Sequence, residues 1–313
     1  MQHGGNFGPI TVSTLAEAEH FADAGFRDIT YAVPIAPEKL PRAAALAARI
    51  ERLNILLDSF EALRAVESQE TVFDAFLEID CGDHRAGVGG DHPESLRLAL
   101  AIARSPKIRF HGLLTHAGHA YDVTDLDEVR RIAAEEPAAL TRFRERAPEL
   151  ANVTRSIGST PTASVVDRFV QCDEVRPGNY VFFDAFQAKL GSCRREDIAV
   201  SVLATVVGAY PERGTMILDA GALAMSKDLS PNHLDPTFGY GVVCDLDLNP
   251  LSMKLIGLSQ EHGKVRSETM LPIGTRVRVV PNHSCLTAAM YDTFHVVDGG
   301  NELVDEWHPV RGW

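Results

Sequence analysis

The 313-residue sequence predicts an α/β fold of parallel, barrel type, followed by an antiparallel β domain. Three observations carry the barrel prediction. Short apolar runs alternate with amphipathic helical stretches at even spacing over roughly the first 190 residues. No Gly-rich dinucleotide fingerprint follows the first strand. Polar residues gather just after strand ends, where barrel sites assemble.

The elements follow in order. Ile10 to Ser13 reads as a strand and Leu15 to Ala24 as a helix, with Thr14 available to cap it and Gly25 to end it. ITYAV (Ile29 to Val33) is strand-like and leads into a long Ala-rich helix ending near Glu51. The strand NILL (Asn54 to Leu57), a helix around Ala62 and the strand FLEID (Phe76 to Asp80) come next. A helix from Pro93 to Arg104, the strand HGLLTH (His111 to His116) and a charged helix over Asp125 to Arg146 complete the alternation. After about Gly191 the texture changes to β-branched runs between turns: VSVLATVVGAY, TMILDAG, GTRVRVVPNH and TFHVVDGG. This is an antiparallel signature, with Gly299-Gly300 as a hairpin turn. The expected division is 1–192 and 193–313.

Composition narrows the function. With 45% hydrophobic and 23% charged residues, the chain has ordinary soluble composition and ample material for a core. It contains no apolar run of the ~18 residues that a spanning helix needs, and MQHGGNFGPI does not read as a signal peptide. A net charge of −13 argues against nucleic acid or an anionic membrane as partner. Cys81, Cys172, Cys193, Cys244 and Cys285 are odd in number, scattered and without a CxxC, so unpaired thiols in the cytoplasm are expected.

Chemistry concentrates in a few segments. In VRVVPNHSCLTAAMYD, His283 and Cys285 lie two apart, and in an extended chain both project from one face. Imidazole and thiolate are ligands that zinc prefers, although a bare HxC reads equally as a buried cysteine beside a half-exposed histidine. RSIGSTPTAS (Arg155 to Ser164) follows a strand and precedes a short helix. Its Gly158, Ser159, Thr160 and Thr162 offer hydroxyls and backbone amides, the chemistry of a phosphate nest or of a simple turn.

PNHSC, the upstream SQEHG (Ser259 to Gly263) and the terminal RGW (Arg311 to Trp313) together resemble the C-terminal domain of the D-serine dehydratase/D-threonine aldolase family of alanine racemase-type, fold-type III pyridoxal-phosphate (PLP) enzymes. The resemblance covers essentially the whole chain. It implies a (β/α)8-type barrel, here incomplete with the first unit missing, and zinc held by His283 and Cys285 in an open site. It places the PLP phosphate at Gly158, Ser159 and Thr160, and at Gly178, Asn179 and Tyr180 in EVRPGNYVFFD. EIDCGDHRAGV (Glu78 to Val88) is similar to the IDxGxxRxG segment of alanine racemases, which brings Arg85 to the PLP phenolate. GLLTHAGHAY (Gly112 to Tyr121) implies His116 under the ring, with His119 either nearby or a surface histidine. Arg176 aligns with the pyridine-nitrogen arginine of the racemases, and serves equally well as a salt bridge at a strand end.

One feature departs from the family. The Schiff-base lysine normally precedes the ITVSTLAEAE motif in an RPHxKT-type segment, and here no lysine comes before Lys39. The six lysines (Lys39, Lys107, Lys189, Lys227, Lys254, Lys264) sit in no matching context, so no catalytic lysine is assigned. A chain start lying inside a longer protein is the preferred explanation, and a lysine-less paralogue that binds PLP without catalysis the other. The implied activity is that of a lyase for D-amino acids bearing a β-hydroxyl. Dehydration of D-serine gives pyruvate and ammonia, whereas retro-aldol cleavage of D-threonine gives glycine and an aldehyde. Cysteine at position 285 leans towards zinc and dehydration. An amino-acid racemase is a further alternative, against which PNHSC argues. A homodimer is expected by analogy.

Overall fold

The computed structural model describes residues 4–312; Trp313 of the RGW segment and the first three residues of the amino-terminal stretch lie outside it. The described chain divides into two compact units. The first comprises residues 4–120, 127–177 and 310–312, and the second Tyr121–Leu126 and Gly178–Pro309.

The first unit is a parallel sheet with crossover helices. Its strands are β1 (Ile10–Val12), β2 (Asp28–Pro34), β3 (Arg52–Leu57), β4 (Phe73–Asp80), β5 (Val88–Gly89), β6 (Ile108–Leu114), β7 (Thr154–Ile157) and β8 (Glu174–Val175). Between them lie α1 (Leu15–Asp23), α2 (Leu40–Ala47), α3 (Phe60–Glu67), α4 (Pro93–Arg104), α5 (Leu126–Arg144) and α6 (Thr160–Ser164). The strands run β1-β2-β3-β4-β6-β7-β8 in sequence order, all parallel, with β5 paired beside β4. A doubly wound sheet would reverse direction at a switch point; this order does not, and describes part of a barrel. The expected Ala-rich helix to Glu51 is shorter, a 3-10 turn at Pro37–Lys39 running into α2.

Local chemistry sets the helix ends. Thr14 and Glu17 form a reciprocal capping box at α1, and Ser59 caps α3. Side-chain alternation then sorts β4 into two faces. Ala75, Leu77 and Ile79 join the large core, while Phe76 packs with Leu56 and Leu114 in a separate small layer. Asp74, Glu78 and Asp80 share the parity of Phe76, so Glu78 stands one step beyond that layer towards the C-terminal mouth.

The second unit contains α7 (Ala185–Leu190), β9 (Val202–Tyr210), β10 (Thr215–Leu218), α8 (Ala222–Met225), β11 (Gly241–Cys244), β12 (Pro250–Leu258), β13 (Gly263–Arg266), β14 (Arg276–Pro281), α9 (Ser284–Ala288), β15 (Phe294–Val297) and β16 (Leu303–Trp307). Six antiparallel strands close into a barrel in the order β10-β13-β12-β11-β14-β9. Closure removes the exposed edges that an open sheet would carry. β15 and β16 form a hairpin around Gly299, whose φ of 67° suits glycine.

Candidate functional site

In the first unit, the mouth of the sheet collects the residues of EIDCGDHRAGV, GLLTHAGHAY and RSIGSTPTAS. His116 lies just beyond β6 and its Nδ1 donates to the Gly158 carbonyl at 2.6 Å. Burial and the charge of Arg85 lower its pKa to about 4, so the imidazole is neutral, with Nδ1 protonated. Arg85 is 62% exposed and its nearest acid is Asp83 at 3.7 Å. Arg176 is only 6% exposed. Its guanidinium donates to Ser156 Oγ at 2.6 Å and to the carbonyls of Thr115 and Ser156, with Glu174 3.8 Å away. It is thus fixed to the strand ends by backbone acceptors as well as by an ion pair.

Gly158 has φ +154°, and a Cβ there would lie 2.5 Å from the Arg176 backbone nitrogen. The close approach of β7 and β8 therefore requires glycine. Ser159 caps α6 by accepting from the Thr162 amide, and Ser159, Thr160 and Thr162 are all buried.

Two carboxyls stand in this region that the sequence reading did not assign. Glu78 is 5% exposed and one of its oxygens has no hydrogen-bond partner. Burial raises its pKa to about 7, against the attraction of Arg85 and Arg176. Glu136, on α5, is 1% exposed and accepts from the Gly158 amide at 2.9 Å and from the Thr162 hydroxyl at 3.0 Å. His119 also faces this region: its Nδ1 is buried without a partner, and its ring lies 3.5 Å from where a Cβ on Gly82 would be.

The second unit holds the HxC pair. The extended geometry expected for PNHSC is not what forms. β14 stops at Pro281, His283 is the N-cap of α9 and Cys285 lies in its first turn. The turn of a helix start, rather than strand alternation, brings the two side chains together. His283 Nδ1 is 3.1 Å from Asp228 Oδ2. Burial would lower the His283 pKa, but hydrogen bonds to Asp228 and Cys285 outweigh it and hold the ring up at about 10. Shielding of the Cys285 sulfur would raise its pKa, but the His283 hydrogen bond and charge bring it below the usual thiol value. Asp228 falls to about 2, the hydrogen bonds from His283 and Ser230 overcoming its burial.

Buried amides and a carboxylate brace this segment. Asn282 donates to the carbonyls of Asp228 and Gly239, both at 2.9 Å. Asp184 caps α7 through the Gln187 amide and accepts from the Ser284 amide at 2.9 Å. Asn179, expected at the cofactor phosphate, directs its side-chain amide to Asp184, Ser284 and the Cys285 sulfur instead. Gly178 precedes the 3-10 turn Asn179–Val181, and Tyr180 is 38% exposed. Among the described residues no set of three His, Cys, Asp or Glu side chains gathers to hold a metal. The donor set is two, with Asp228 behind one of them, and this suits a metal site left open to exogenous ligands.

Comparison with known proteins agrees with this architecture. Residues 2–185 match the family described as "Alanine racemase, N-terminal domain" and residues 199–297 the "Putative serine dehydratase domain". Fold and site together define an alanine racemase-type, fold-type III enzyme. More narrowly, the chain belongs to the D-serine dehydratase-like family. D-threo-3-hydroxyaspartate dehydratase from Delftia sp. (strain HT23) is 40% identical, over 97% of this chain and 84% of the relative. Its solved structure superposes with a TM-score of 0.90 at 39% identity, covering 100% of this chain and 86% of that one. D-serine dehydratase from Dictyostelium discoideum is 35% identical over 97% of this chain and 82% of the relative. D-threonine aldolase from Filomicrobium marinum has a TM-score of 0.81 at 25% identity, covering 96% and 81% of the two chains. The relatives are lyases of D-amino acids. Of the Delftia enzyme, alanine variants at a histidine and at a cysteine two positions further on have been solved, the latter described as metal-free.

Proposed function

We propose that this chain is a PLP- and zinc-dependent lyase acting on D-amino acids with a β-hydroxyl, with dehydration as the favoured reaction. The observation that carries the reading is His283 backed by Asp228 with Cys285 beside it, a nitrogen–sulfur pair with open positions. A D-threo-3-hydroxyaspartate dehydratase with the same histidine–cysteine spacing has a structure described as a metal-free form, which supports a metal here; nitrogen and sulfur donors favour zinc. The first unit supports PLP: Ser159 and Thr160 bring hydroxyls and amides to a turn at the strand ends, and Glu78 has a buried oxygen without a partner.

When bound, PLP supplies an electron sink for charge at Cα and zinc a Lewis acid for the departing hydroxyl. Ser159 and Thr160 would hold the phosphate, with Gly158 shaping their turn, its own amide taken by Glu136; Gly178, Asn179 and Tyr180 join them on the family resemblance alone. Neutral His116, its Nδ1–H fixed on Gly158, offers a flat uncharged platform for the ring. Arg85 would neutralise the phenolate. Arg176, anchored by the carbonyls of Thr115 and Ser156, would present fixed positive charge at the pyridine nitrogen. Asp228 keeps the Nδ1 side of His283 occupied, leaving Nε2 to the metal.

The lysine that would carry PLP and move the α-proton is unassigned. Lys39 donates to the Tyr31 hydroxyl, Lys107 to the Glu70 carbonyl and Lys189 to Asp235, none of them a residue of the proposed cofactor site. These three lysines are therefore not proposed for that role; the second reading is a protein that holds PLP by its phosphate without turnover. Five unpaired cysteines accord with a reducing compartment, and we infer the cytoplasm. No helix among the described residues is long and apolar enough to cross a membrane. A homodimer is proposed by analogy, with gel filtration as its check.

The test is to take a version extended upstream to include an RPHxKT-type lysine segment, add PLP and zinc, and assay D-serine, D-threonine and D-threo-3-hydroxyaspartate with and without a chelator. Chelator-sensitive release of 2-oxo acid and ammonia is expected. Glycine release would move the assignment to the aldolase reaction. Cofactor binding without either product by that extended version would favour the second reading.

A further inference from the structure

The contacts of Glu136 reach both halves of the proposed cofactor site. Its Oε1 accepts the Gly158 amide at 2.9 Å, and the carbonyl of that same glycine accepts His116 Nδ1 at 2.6 Å. Its Oε2 accepts from Thr162 Oγ1 at 3.0 Å, which is itself 2.9 Å from Ser159 Oγ. We propose that Glu136 is a positioning residue of the phosphate turn, and that its proton decides whether the Ser159 hydroxyl points inward or towards the phosphate. This rests on the reading of Gly158–Thr160 as the phosphate site and deepens it.

Proton counting gives the mechanism. An ionised Glu136 can only accept, so the single hydroxyl hydrogen of Thr162 goes to Oε2. Thr162 Oγ1 is then the acceptor for Ser159, whose own hydrogen is consumed inside the turn. A Glu136 protonated on Oε2 donates to Thr162 instead. Thr162 turns its hydrogen to Ser159 Oγ, 2.9 Å away, and no longer accepts from it. The Ser159 hydrogen is thereby released for a ligand oxygen. The Gly158 amide stays on Oε1 in both states, so the turn keeps its shape.

A phosphate ester brings about two negative charges near neutral pH. It needs donors and disfavours an ionised carboxylate behind the turn, so both effects select the protonated arrangement. Binding then takes one proton from solvent. Burial already raises the Glu136 pKa, opposed by the Gly158 and Thr162 hydrogen bonds, the Arg176 charge and the backbone at Ala117. Among the described residues, the thiols of Cys81 and Cys172 also feel its charge, and the His116 imidazole meets it through Gly158. Arg130 and Arg168 line a cavity of about 330 Å³ that Glu136, Gly158 and Thr162 also border.

Calorimetric titration of the chain with PLP, in buffers of different ionisation heat between about pH 6.5 and 8.5, tests this. Wild type should take up a proton, and its Kd should rise by up to about tenfold per pH unit relative to Glu136→Gln. The glutamine amide donates to Thr162 permanently, so E136Q should show neither the uptake nor the relative loss. Thr162→Val cuts the same connection by a different substitution and should also flatten the profile. Ionisation of the PLP phosphate is common to every protein and cancels in the comparison. Equal proton uptake and equal pH dependence in wild type and both variants would overturn the proposal. PLP binding no tighter than pyridoxal would instead remove the phosphate-turn reading, and this inference with it.

Discussion

Nδ1 of His283 sits 3.1 Å from Oδ2 of Asp228, a residue 55 positions earlier in the chain. The pair fixes the ring before any metal arrives. Asp228→Asn should therefore weaken zinc binding about 10–100-fold, the usual effect of losing a carboxylate behind a ligating histidine. Competition with a chromophoric chelator would measure it, and an unchanged affinity would dismiss Asp228 from the site.

Removing the thiol proposed as a metal donor should spare the fold. Cys285 is exposed and its helix is braced through Ser284 and Thr287. Cys285→Ser should lose stoichiometric zinc and chelator-sensitive activity while the Tm moves by no more than about 2 °C, as for surface substitutions. A large drop in Tm would point to a structural role for the thiol.

Glu78 and His116 should hide each other in the pH dependence of stability. Glu78 has a raised pKa, about 7 against 4.5, so the folded state binds its proton more tightly. Its contribution falls as pH rises through that window. His116 has a lowered pKa, about 4 against 6.5, so the unfolded state binds more protons and its contribution rises with pH. Each slope amounts to about 3 kcal/mol at most across its window. Between pH 4.5 and 6.5 the two oppose. Denaturation of Glu78→Gln should show stability climbing with pH relative to wild type, and His116→Asn the reverse. Parallel profiles for all three proteins would refute the assignment.

Much of this was readable beforehand, and the failures have physical causes. Strand–helix alternation identified the sheet because β4 and β6 are long apolar runs whose partners lie next in sequence. His116, Gly158 and Arg176 each follow a strand end in the sequence, and the fold brings them together. The PNHSC conformation was misjudged because a β-branched run gives no sign of where the strand stops; Asn282 ends it through long-range bonds to Asp228 and Gly239. Asp228 itself has no local signature. Glu136 did have one: it interrupts the buried stripe Val129, Ile132, Ala133, Leu140 and Phe143 of α5 with a charge. The side-chain contacts of Asn179 with Asp184 and Ser284, the latter 105 residues away in sequence, have no local signature either.

Gly158→Ala should cost about 3 kcal/mol in stability. A Cβ would meet the Arg176 backbone nitrogen at 2.5 Å, and the φ of +154° strains any other residue. Denaturant midpoints of wild type and variant would measure the loss. A neutral alanine would mean that β7 and β8 separate more easily than their packing indicates.

The Gly158 peptide has a consequence for how such a protein could change over generations. The two peptide planes that meet at its Cα are gripped, one at its N–H by the Glu136 carboxyl and the other at its C=O by the His116 ring. A lineage relaxing its hold on a cofactor could not discard the platform and the anion cradle separately, because the first mutation at either end disturbs the other. Drift should therefore leave this turn either whole or wholly erased, and its persistence in a sequence is a more telling record of ancestry than any single residue around it.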